Sequence, residues 1–188
     1  MSNYRADELV QTPLEQRCLD EVRDASGEAN GPMERHCVRC FIFMERLAER
    51  RGLELDREVS LCAAFLHDIG IYSSRSQGGV YTDESGELAR RLFEEAGADA
   101  ARAQRCADAC AYHHARRDQS HRGAEVELLR VADQIEVLGG LVRHGLSRED
   151  IQGTFDAVSR DGFYGHIGKL VLVALRERPR TLPKIFKR

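Results

Sequence analysis

Apolar residues recur at helical spacing along most of this chain, and no alternating β-branched run argues for a sheet. The clearest stretch begins near Met33, where Cys37, Cys40, Phe41, Met44, Leu47 and Ala48 keep to one face until Gly52 ends it. A further helix is predicted after Asp56 as N-cap, with Val59, Cys62, Ala63 and Leu66 on one face. Leu61, Ala64 and Phe65 make that helix apolar almost all round, which predicts that it is the central one. It closes on His67-Asp68-Ile69-Gly70.

The rest of the pattern is helical too. A helix is predicted over Pro13–Arg23, capped by Thr12, and a loop over Asp24–Pro32. The Ser- and Gly-rich stretch from Ile71 to Thr82 reads as a loop of about twelve residues, a length often kept for function. Thr82 or Asp83 is expected to cap the next helix, which Gly97 stops, and another runs from about Asp99 to His114. Arg116–Gly123 is polar and irregular. A long helix is predicted over Glu125–His144, then a shorter one from Ser147 to about Ser159, and a last one over Tyr164–Arg176. The expectation is an all-α single domain over residues 1–188, a bundle of about seven to eight helices with C-terminal helices over 147–178.

Composition narrows the class. The 188 residues are 42% hydrophobic and 31% charged, which fits a soluble globular chain. A net charge of -3 gives no reason to expect nucleic acid as a partner. The basic stretch Arg176–Arg188 reads as a solvated helix end and tail. Met1–Asp20 carries Asp7, Glu8, Glu15 and Asp20 and lacks an apolar signal region, and no membrane span is visible, so a cytoplasmic location is expected. The six cysteines, Cys37/Cys40 and Cys106/Cys110 among them, then read as free thiols buried on apolar stripes.

Against this background four polar residues stand out. Asp133 is centred on the stripe Val126, Leu129, Val137 and Gly140 of a core helix, where an unpaired carboxylate costs several kcal/mol. His36 shares its line with Cys40, Phe43 and Leu47, so its imidazole points inward. His67-Asp68 puts a second imidazole and a second carboxylate at the end of the central helix, and His113-His114 ends another helix in the same way. A single divalent cation satisfies His36, His67, Asp68 and Asp133 together. Two imidazoles and two carboxylates suit Mn, Fe, Co, Ni, Zn or Mg, with positions left for water that the ion acidifies.

The order His36, His67-Asp68, Asp133, with Ala63-Ala64-Phe65-Leu66 before the pair and Ile69-Gly70 after it, resembles the HD superfamily of metal-dependent phosphohydrolases. The resemblance covers about Met33–Gly140 and implies a helical core holding the metal at those four residues. It also implies hydrolysis of a phosphate ester of a small molecule or nucleotide. Relatives with two metals carry a further His that this chain lacks between His67 and His113, so one divalent ion is expected. Asp68 would orient the water, and His113 or His114 would bind or protonate the leaving group. Arg39 and Arg75 are the expected substrate-binding residues, with Arg116 and Arg117 as alternatives.

His36-Cys37-Val38-Arg39, with Tyr81–Leu92, is also similar to a cyanamide-hydratase-like branch. A hydratase or lyase on the same scaffold is therefore the second reading, favoured by an apolar pocket with Tyr72, Tyr81 and Tyr112. A regulatory module clipped by the metal is the third. The apolar run Leu170–Leu175 reads as core or as the contact of a homodimer.

Overall fold

The computed structural model describes residues 4–186, and these form nine α-helices and no strand. They are α1 (Ala6–Leu9), α2 (Pro13–Ser26), α3 (Pro32–Arg51), α4 (Arg57–Leu66), α5 (Tyr81–Glu95), α6 (Ala100–Tyr112), α7 (Ala124–Val137), α8 (Arg148–Ala157) and α9 (Phe163–Glu177). Short 3-10 turns lie at Ile69–Ile71, Ser120–Arg122 and Leu182–Phe186. The all-α expectation holds, with α1 a single turn that the apolar pattern does not announce. Lys187 and Arg188, the end of the basic stretch, lie outside the described residues.

Side-chain caps set most of the starts. Thr12 and Glu15 form a reciprocal capping box on α2, and Ser147 and Asp150 do the same on α8. The Asp56 carboxylate accepts from the Val59 N–H at the start of α4, and Asp99 accepts from Ala101 and Arg102 at the start of α6. Two boundaries differ from the sequence pattern. Helix α5 begins at Tyr81, with Val80 rather than Thr82 or Asp83 at the N-cap. The Val80 carbonyl accepts from the Asp83 and Glu84 amides there, and the Glu84 carboxylate accepts from the Gln77 and Gly79 amides of the loop before it. Helix α7 stops at Val137 instead of running on to His144. Gly139 and Gly140 follow with φ of 62° and 78°, and their amides close on the Glu136 and Ile135 carbonyls. A side chain is strained in that left-handed backbone, so the glycine pair is a stop.

Helix α4 is central, as its pattern predicts: every residue from Val59 to Leu66 is buried. It packs against α2, α3, α5, α6 and α7. Helices α3 and α7 lie against each other, α5 pairs with α6, and α8 and α9 pack back onto α3. All six cysteines are buried free thiols. Helix α9 is half in solvent: Phe163 and Ala174 are buried, while Leu172 is 67% exposed, so Leu170–Leu175 does not form core throughout.

Candidate metal centre

Four helices deliver polar groups to one buried point. His36 lies in the first half of α3, His67 and Asp68 follow α4, His113 and His114 follow α6, and Asp133 lies in α7. Gly70 fixes how the His67-Asp68 turn sits beneath α5. A Cβ there would lie 2.2 Å from the Tyr81 carbonyl oxygen, so only glycine admits this approach. The Gly70 amide in turn donates to Ser85 Oγ of α5 at 2.9 Å.

The four expected ligands meet. His36 Nε2 is 3.0 Å from His67 Nε2, 3.7 Å from Asp68 Oδ2 and 3.5 Å from Asp133 Oδ1. His67 Nε2 is 3.4 Å from Asp68 Oδ2 and 3.9 Å from Asp133 Oδ1. Adjacent ligands of one ion, each bound at about 2.0–2.2 Å, lie about 3.0–3.6 Å apart, and the separations here, from 3.0 to 3.9 Å, fall in or just beyond that range.

The outer nitrogens show which way the rings are protonated. His36 Nδ1 lies 2.8 Å from Glu136 Oε2, and His67 Nδ1 lies 2.8 Å from the Ala64 carbonyl. Both partners only accept, so both Nδ1 atoms donate, and each ring turns its Nε2 inward. Two ring nitrogens 3.0 Å apart need a positive charge between them, a proton in the metal-free chain or a metal ion in its place. A ligand imidazole held by an acceptor on its far nitrogen is the usual arrangement at a metal.

Two buried atoms make no hydrogen bond of their own: Asp68 Oδ1 and His113 Nε2, which lie 3.2 Å apart. His113 Nδ1 donates to the Cys110 carbonyl at 2.6 Å, so its Nε2 also faces inward, toward Asp68. Polar atoms left in this state inside a protein are explained by an ion or water that completes them. The residues therefore fit a divalent metal.

Charge balance follows the same logic. Burial works against the cationic form of His67, yet Asp68 and Asp133 outweigh it and hold its pKa up at about 9. Burial also penalises the Asp68 carboxylate, but His67 and His113 keep its pKa well below the usual range. Glu136 is buried too, and His36 with Arg39 brings its pKa down to about 2. Burial raises the pKa of Asp133 and lowers that of His114 far below a free imidazole.

The remaining predicted residues separate. His114 lies beside the centre, its Nδ1 3.6 Å from Asp133 Oδ2 and its Nε2 2.6 Å from the Tyr81 hydroxyl. Arg39 is fully buried behind His36, where Nε donates to Glu136 Oε1 at 2.8 Å and Nη1 to the Ser159 carbonyl at 2.6 Å. Arg75 is held by Glu21 and Asp24 of α2. Arg116 and Arg117 are exposed. Glu136 is the partner that sequence reasoning missed, although its place three residues after Asp133 puts it on the same side of α7.

A cavity of about 560 Å³ opens onto this centre. Asp68, Asp133, Tyr81 and His114 supply its polar floor. Its walls are apolar and include Ile71, Val137, Phe163, Ile167, Val171 and Ile185. Tyr72 and Tyr112 are elsewhere: the Tyr72 hydroxyl is 2.9 Å from His166 Nε2, and the Tyr112 ring lies under Arg122. His36, His67 and His113 do not reach the cavity.

This is a helical scaffold built around a buried His/Asp cluster suited to a metal ion. The HD domain family model matches residues 33–138, more than half of the chain, and the chain belongs to that family. The family is in general one of metal-dependent hydrolases. The match is to the family as a whole and does not carry the cyanamide-hydratase-like resemblance. No curated protein matches the chain. No helix among the described residues is long and apolar enough to cross a membrane.

Proposed function

We propose that this protein is a metal-dependent hydrolytic enzyme that holds one divalent ion and directs water at a small molecule in the cavity. One observation carries the reading: the Nε2 atoms of His36 and His67, each ring fixed by an acceptor at its Nδ1, lie 3.0 Å apart between two carboxylates. A divalent ion there supplies Lewis acidity and an acidified water. His36, His67, Asp68 and Asp133 are the ligands. The spare oxygen of Asp68, facing His113 Nε2, is placed to take a proton from the water and keep it oriented. His114 and Tyr81, hydrogen-bonded to each other on the cavity floor, are placed to hand a proton to the departing or newly charged end of the substrate. His113 acts on Asp68 and not on the substrate, since it does not line the cavity.

Cleavage of a phosphate ester and hydration of a neutral molecule would use this centre alike and differ in what the cavity has to hold. A metal serving only as a structural clip needs no cavity floored by its own ligands. Elemental analysis of the purified chain tests the reading. About one divalent ion per chain is expected in the wild type, and well under a tenth of that in His67→Ala and Asp133→Asn proteins whose helical circular dichroism is intact. A wild type that takes up no Mn, Fe, Co, Ni or Zn under any loading condition sinks it.

A further inference from the structure

The cavity above the centre has more to say about charge than about shape. Its walls are aliphatic and aromatic, and among the described residues no lysine or arginine lines it. The polar groups that do reach it are two carboxylates, a tyrosine and a histidine. A phosphate ester brought here leaves water for an apolar chamber whose fixed charges are negative. Such a move costs far more than it returns unless cationic side chains meet the oxygens.

The arginines nearby are committed, and Lys184, between the lining Pro183 and Ile185, is exposed to solvent. Arg39 is sealed behind His36 on Glu136, and Arg160 donates to the same carboxylate and to the Glu136 carbonyl. Arg178 is buried against the Gly70 and Ile71 carbonyls and Glu84. Arg75 is tied to α2, away from the cavity. Freeing any of them leaves a buried or partly buried acid or carbonyl without its partner. At the floor, Asp68 and Asp133 already balance the two charges of a divalent ion, so the loaded centre has little positive charge left to draw in a dianion.

We infer that the cavity binds a neutral small molecule with an apolar body, ring-sized or larger, whose single polar end lies on the Tyr81–His114 floor, and that it rejects phosphate esters. An amide, nitrile or ester head matches that floor, because the Tyr81 hydroxyl can donate to it while the body covers Ile167, Val171 and Phe163. The inference rests on the metal-centre reading above for what lies beneath the head group.

Benzamide and phenyl phosphate share a ring and differ in the head, so they test it directly. The full chain, residues 187 and 188 included, is titrated with each by calorimetry and ligand-detected NMR, both metal-free and loaded with Zn. Benzamide is expected to bind at least tenfold tighter in both states. Ile167→Lys, which adds a cation to a partly buried wall position, should weaken benzamide and tighten phenyl phosphate by at least tenfold each. Phenyl phosphate binding as well as benzamide to wild-type protein, or neither compound binding, overturns the inference. The two readings fail separately: a chain that takes up none of Mn, Fe, Co, Ni or Zn refutes the metal centre and leaves the metal-free preference measurable, whereas lost preference with Zn bound refutes the neutral ligand alone.

Discussion

The residues that matter most are those whose chemistry contradicts their burial. His36 and His67 are fully buried, and Asp133 is only 2% exposed. Their inward placement was legible in the sequence because His36 and Asp133 interrupt apolar stripes and His67 closes the most apolar helix. The partner behind His36 was not, because Glu136 looks like any acid on a helix until α3 and α7 are laid together. Its carboxylate receives the His36 Nδ1–H at 2.8 Å and is shared by Arg39 and Arg160. Arg39, expected to meet the substrate, instead sits with that acid, three residues along the helix from His36. Glu136→Gln keeps the size and loses the charge that makes His36 a better donor. Metal affinity, read by competition with a chromophoric chelator, should fall about 10–100-fold. The thermal midpoint of the metal-free protein, followed in parallel, separates this from a packing defect. A variant that competes for metal as well as wild type would remove Glu136 from the centre.

Among the elements, α4 was the most legible, because an all-apolar helix has only the middle of a bundle to go to. Its N-terminus is a junction. Asp56 caps it through the Val59 amide and also receives two hydrogen bonds from Arg102 of α6, at 2.6 and 3.0 Å from Nε and Nη2. The ends of α5 and α7 were read less well. Helix α5 starts after Val80 without a side-chain cap hydrogen bond, and periodicity does not register the backbone of Gly139-Gly140. Asp56→Ala should cost about 1–2 kcal/mol in urea unfolding at neutral pH, most of it the lost cap, since the partly exposed ion pair is screened. Arg102 lowers the pKa of Asp56 in the folded chain. The charged form is therefore favoured by folding, and its contribution is complete above the ordinary carboxyl value of about 3.9. It is lost as the pH falls through the lower folded value. The gap between wild type and Asp56→Asn should thus stay level from pH 7 to pH 5 and close below about pH 4. A gap that widens with acid would show that the pair does not act this way.

At the scale of the molecule, the chain's last helix and the turn after it complete the site that the family core begins. Phe163 stacks on His36 with ring centroids 4.8 Å apart, and Ile167, Val171, Pro183, Ile185 and Phe186 close one side of the cavity. All of these lie beyond the matched residues 33–138, so the proposed metal donors fall within the matched core and much of the cavity wall after it. That division explains why the centre could be read from motif and spacing while the cavity's character could not: the wall depends on where α9 docks. Arg178 is the rivet. It is 8% exposed, follows α9, and donates to the Gly70 and Ile71 carbonyls of the turn that carries Asp68, to Ser76 Oγ and to Glu84. Removing it leaves two carbonyls short of a donor. Glu84 keeps the Gln77 and Gly79 amides, so the cost stays below that of an orphaned buried acid. Arg178→Ala should lose about 2–3 kcal/mol, a fall of roughly 5–10 °C in thermal midpoint. Trypsin should then cut faster at Arg180 or Lys184 than in wild type. Leu172→Ala, at a residue two-thirds in solvent on the same helix, should change the midpoint little and serves as the control. If the two substitutions behave alike, the C-terminal segment is not riveted through Arg178, and the wall it forms must be held by the packing of α9 on α3 and the Ile69–Ile71 turn and of the Leu182–Phe186 turn on α5.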